Sequence, residues 1–103
     1  MSRIVTQPKL AGETQTFSFD FISRLAVGET ISTQVVAATV WSGTDSNPSA
    51  VISGSATASG TIVNQAITGG VVGVIYSLVC TITTSFSQTL KLATYMAVTT
   101  DLP

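Results

Sequence analysis

The groups in this 103-residue chain that could do chemistry are few: five carboxylates, one thiol, two tyrosines and no histidine. Without histidine the chain lacks the side chain that most often serves as general base or metal ligand near neutral pH. The acids are Glu13, Asp20, Glu29, Asp45 and Asp101. Asp20 and Glu29 flank one chain break, but neither has a sequence neighbour with which to form a carboxylate dyad. Asp45 and Asn47 resemble the start of a calcium loop, yet two oxygen ligands fall short of the roughly six to eight that calcium takes. Turn chemistry accounts for both residues, because Asp and Asn side chains bond their own backbone two residues on. Cys80 is the only cysteine, so no disulfide can form within the chain. Its place between Leu78 and Ile82 in an apolar row reads as a small buried hydrophobe, without the base or positive neighbour that activates a thiol. These residues predict no catalytic site, no metal site and no cofactor: the chain is not expected to be an enzyme.

Charge excludes a second class of function. Only 9% of residues are charged and the formal net charge is −1. The four bases, Arg3, Lys9, Arg24 and Lys91, form no cluster, so counterion release has little to drive nucleic-acid binding. No charge occurs between Asp45 and Lys91. Such a span belongs either to a neutral Ser/Thr-coated sheet or to a surface covered by neighbouring chains. Residues 66–84 are long enough to cross a bilayer, but their glycines and alternation of apolar with small polar residues exclude a lipid-facing helix. No membrane partner is expected. Residues 1–10 hold no apolar run that could act as a signal-peptide core, which points to synthesis and assembly in a cytoplasm.

The elements that must position these side chains are strands, since period two recurs and helical spacing does not. In residues 15–21, QTFSFDF, Phe17, Phe19 and Phe21 share one face, with Ser18 and Asp20 on the other. Gly28-Glu29 predicts a turn. Residues 31–41 put Val36, Ala38 and Val40 in one phase and Ile31, Val35 and Trp41 in the other, which implies a bulge or burial on both faces. Residues 42–48, SGTDSNP, form the densest turn cluster, followed by a short strand around Val51 and Ile52 and a small polar connection over residues 54–60. Residues 61–68 read as a strand that is sandwiched or partly covered. Gly69, Gly70 and Gly73 mark a tight corner. After it, Val74, Tyr76, Leu78, Cys80 and Ile82 make the longest single-phase apolar row, predicting the central strand. A hairpin through Ser85, Phe86 and Ser87 leads to a last strand with Leu90, Leu92, Met96 and Val98 inward, so its tip directs Phe86 to solvent or to a partner. Trp41, at a strand end beside the main turn, is expected to pack under the loop, with an exposed interface anchor as the alternative. About seven strands at ~10-residue intervals predict an all-β, immunoglobulin-like antiparallel β-sandwich. Residues 1–13 are an extended N-terminal arm and residues 14–103 the sandwich domain. Tyr76, just after the glycine corner, sits where such folds place a tyrosine whose hydroxyl bonds back to the chain.

Several segments together resemble a family of small phage structural proteins, the fibre–tail adaptors: Pro8-Lys9-Leu10, DFISRL at residues 20–25, GETI at 28–31, TIVNQAITGGVVGVIYSL at 61–78 and TITTS at 81–85. The chain departs from that pattern at Phe86-Ser87 and over residues 44–60. The resemblance implies a virion protein of the neck or tail, present in several copies, that links fibres or spikes to the portal–tail axis. Its implied partners are portal, tail or adaptor-ring, and fibre or spike proteins, together with copies of itself. The alternative is a capsid decoration protein cementing the phage head.

Overall fold

The computed structural model describes residues 6–10, along their backbone, and 13–99. The remainder of the predicted arm and Asp101 lie outside the described residues. Seven strands follow in chain order: β1 (Thr6–Leu10), β2 (Thr14–Asp20), β3 (Ile31–Ser42), β4 (Ile52–Ser59), β5 (Ile62–Thr68), β6 (Ile75–Thr84) and β7 (Thr89–Thr99), with one 3₁₀ turn, Pro48–Val51, before β4. They form a four-stranded sheet in the order β1-β7-β6-β3 and a three-stranded sheet in the order β2-β5-β4. The expected all-β two-sheet sandwich is the fold.

The core lies between the inward rows of the two sheets. Phe17, Phe19 and Phe21 enter it from the β2 side, and Val63 and Ile67 from β5. From β6, Tyr76, Leu78, Cys80 and Ile82 are all fully buried, so the row that predicted the central strand lies between β7 and β3. Burying side chains such as Leu78 or Ile82 is worth roughly 1.5–3 kcal/mol each, and the strict alternation of β6 concentrates that gain on one strand. Removing the outward polar residues would not disturb it; shifting the register by one residue would reverse it.

Four local features differ from the expectations. Residues 54–60, expected as a connection, mostly belong to β4, which pairs with β5 across a register shift between Ser53 and Thr57. The buried Gln65 side chain fills that irregularity, its amide donating to the carbonyls of Ser53 (3.0 Å) and Gly54 (3.2 Å). This lets small residues form a strand without an apolar row of their own. The short strand expected around Val51 is replaced at Val51 by the 3₁₀ turn, which begins at Pro48. The phase change of β3 is expressed as irregularities at its two ends, between Ile31 and Thr33 and between Val40 and Ser42, not as a mid-strand bulge. Finally, β1 pairs with β7 in parallel, Thr6 opposite Tyr95 through Leu10 opposite Thr99, while the other pairs are antiparallel. The described part of the arm is therefore an edge strand.

Candidate functional site

With the core closed, the residues available for contact lie at the two ends of the sandwich and on β3. At one end, β2 crosses to the other sheet through residues 21–30, beside the β6–β7 hairpin. Glu29 organises this crossing. It is 7% exposed, and its carboxylate accepts the Ala26 N–H at 2.8 Å and the hydroxyl of Thr84 at the end of β6. The Ala26 hydrogen bond, followed by that from Thr84, holds the Glu29 carboxyl below its ordinary pKa against the opposing effect of desolvation. The Thr84 oxygen in turn accepts the N–H groups of Phe86 and Gln88, each at 3.2 Å. Thr30 and Ser85 exchange two further bonds, Ser85 N–H to the Thr30 carbonyl (2.9 Å) and Thr30 N–H to the Ser85 hydroxyl (3.0 Å). The hairpin tip is thus clamped, with Ser87 at a φ of 61° to close its turn.

What this clamp presents is apolar. Phe86 is 52% exposed, as the hairpin reading expected, and Ile22 and the fully exposed Val27 stand on the crossing segment at the same end. Arg24 is fixed there by donating to the Lys91 carbonyl at 3.2 Å. The Glu29–Thr84 bond spans fifty-five residues, and no local spacing announces it.

At the opposite end, Tyr76 does what its position after the glycine corner suggested. Its buried hydroxyl donates to Asp45 Oδ2 at 2.6 Å and accepts the Val71 N–H at 2.9 Å, tying the turn after β3 to the turn before β6. Asp45 Oδ1 accepts the Asn47 N–H at 2.9 Å, the Asx turn expected of this pair. The Tyr76 bond, then that from Asn47, lowers the Asp45 pKa, while burial and then Asp45 raise that of Tyr76. Gly70, at a φ of +96°, is required in the same corner because a Cβ there would lie 2.8 Å from Val98 Cγ2. Beside it Val71 and Val72 are half-exposed.

Trp41 corrects the expectation of core packing. It is 59% exposed and its ring lies 4.8 Å from that of Tyr95, tilted by 33°. The phase of β3 explains this, since Val36 and Ala38 take the buried positions and Trp41 falls in the opposite set. Cys80 is fully buried, and desolvation pushes its thiol up to about 11. Asp20 and Glu29 serve different loops: Asp20 Oδ1 accepts the Thr61 hydroxyl (2.9 Å) and the Ile22 N–H (3.0 Å). Among the described residues no group of three or more His, Cys, Asp or Glu could hold a metal ion, and no helix is long and apolar enough to cross a membrane.

The geometry defines a β-sandwich whose exposed large hydrophobics stand on its end loops and on β3. Residues 9–96 match the model of the family described as podophage GP4 fiber-tail adaptor protein gp77. The chain belongs to this fibre–tail adaptor family, a family of phage structural proteins, and is a virion component. Comparison with curated proteins gives no match.

Proposed function

We propose that the protein is a non-enzymatic, multi-copy neck or tail adaptor, an immunoglobulin-like sandwich that joins fibres or spikes to the portal–tail axis after assembly in the host cytoplasm. The observation that carries this reading is the family match across residues 9–96. The two ends of the sandwich support it. An adaptor must hold two partners apart in a fixed geometry, and here apolar residues stand on loops clamped at both ends of one central strand. Exposed Phe86, Val27 and Ile22 supply anchors at one end, and Val71 and Val72 at the other. Clamping lowers the ordering entropy that each contact would otherwise cost on binding.

Phage particles assembled without this chain test the proposal against a head-decoration role. The adaptor reading expects DNA-filled heads joined to tails that lack fibres. Particles with a full fibre complement and fragile heads would overturn it.

A further inference from the structure

We propose that β3 is a dimerisation edge, pairing antiparallel with β3 of a second copy across a two-fold axis near Ala37. The inference rests on sheet geometry, not on the adaptor reading. A sheet edge exposes unpaired N–H and C=O groups, and natural proteins blunt edges with short strands, charge, proline or bulges. Three of the four edges here carry such devices. β1 is five residues long and includes Pro8 and Lys9. β2 is seven residues long, ends on Asp20 and follows Glu13. β4 is broken by its register shift between Ser53 and Thr57, beside Gly54 at a φ of +72°.

β3 carries none of them between Thr33 and Val40, its two register shifts lying outside that span. Its twelve residues, ISTQVVAATVWS, include no charge, proline or glycine. Its pairing with β6 runs without interruption from Thr33 to Val40. None of the turn and loop backbone hydrogen bonds among the described residues ends on β3. Two of the exposed large hydrophobics, Val35 and Trp41, each at 59%, stand on this same strand.

The occupant follows from matching edges. Head-to-tail pairing of β3 with another copy's β1 would meet Pro8, which has no N–H to offer, and pairing with β4 would meet its break. The edge of equal length and equal lack of charge is β3 itself. In a two-fold antiparallel pair, opposed residues share a face, so the outward residues Val35, Ala37 and Thr39 of the regular span are symmetric about Ala37. Val35 then faces the partner's Thr39. No like charges meet, and the two four-stranded sheets become one continuous sheet.

Sedimentation of the purified full chain, with Ala37→Glu and Ala37→Lys, tests the pairing. Ala37 is exposed, so both variants should keep the wild-type circular dichroism, and at concentrations where every form is monomeric the wild-type melting temperature as well. The wild type is expected to be dimeric. Each variant should weaken the dimer on the order of 100-fold by placing like charges at the axis, and an equimolar mixture should restore it. A wild type that remains monomeric overturns the proposal. So does a dimer indifferent to both substitutions, or an edge that becomes protected from hydrogen exchange only when another virion protein is added. None of these results bears on whether particles lacking the chain lose their fibres.

Discussion

The two ends of the sandwich use the same chemical device with different consequences. At each, a loop carboxylate accepts a hydroxyl hydrogen bond from β6: Glu29 from Thr84 at the strand's end, and Asp45 from Tyr76 near its start. Central strand and end loops are thereby tied together, so the rigidity of the core reaches the exposed apolar residues of those loops. The difference lies in the hydroxyl. Thr84 does not titrate, and it passes its grip to the backbone of Phe86 and Gln88. Tyr76 does titrate, and its phenol bridges two loops instead of stiffening one turn. The hairpin end is therefore a clamp sensitive to acid, while the corner end is sensitive to both acid and alkali.

Breaking the hairpin clamp should have the largest effect. Thr84→Val keeps the shape but removes a buried bond to a carboxylate and two part-buried bonds from backbone donors, for an expected loss of about 2.5 kcal/mol. Denaturant unfolding measures it, and backbone resonances of Phe86 and Gln88 should broaden or move while those of Val71 stay in place. Tyr76→Phe should cost less, about 2 kcal/mol, because it loses one bond to a carboxylate and leaves the Val71 N–H without that partner. Equal losses at both sites, with no local difference in the spectra, would remove the distinction between the ends.

The pH dependence sharpens the same contrast. Glu29 and Asp45 have folded pKa values below their ordinary ones. The stability they contribute is complete above the ordinary carboxylate range and is lost as pH falls through the folded values. Melting temperature should fall on acidification, and less steeply in Glu29→Gln and in Asp45→Asn. On the alkaline side Tyr76 has a raised pKa, so its contribution is complete below the ordinary tyrosine value and lost as pH rises through the folded one. The Cys80 thiol, raised to about 11, adds a loss of the same sign. In a Cys80→Ala background, Tyr76→Phe should therefore flatten the alkaline decline, whereas Thr84→Val should leave its slope unchanged.

The smallest stability effect is expected at the hairpin tip. Phe86→Ser removes an exposed ring and should change stability by no more than about 0.5 kcal/mol. Fibre attachment should weaken nonetheless, as measured by the fraction of fibred particles after complementation. Together with Thr84→Val, it separates a contact role for Phe86 from a positioning role for Thr84.

How far the sequence reaches follows from which signals are local. The rows Phe17-Phe19-Phe21 and Val74 to Ile82 were legible because burial on one face imposes period two on neighbouring residues. The corner tyrosine was legible from its place after Gly73, and Phe86 from its place on a hairpin. β4 was not, since its residues are small and polar and its pairing leans on the Gln65 side chain of another strand. The parallel pairing of β1 was hidden by a short segment containing Pro8. Trp41, expected under the main turn from its place at a strand end, instead follows the outward phase of β3. The Glu29–Thr84 clamp joins residues fifty-five apart through one side-chain contact, and no periodic pattern encodes such a contact.

An adaptor built from two clamped ends must occupy one place in the particle, and cryo-electron microscopy of intact virions tests this most directly. The seven-stranded sandwich is expected at the junction of tail and fibre, in several copies around the tail axis, with the Phe86 end against a neighbouring virion protein. Finding the same sandwich spread over the capsid lattice, or missing from particles that carry fibres, would contradict it.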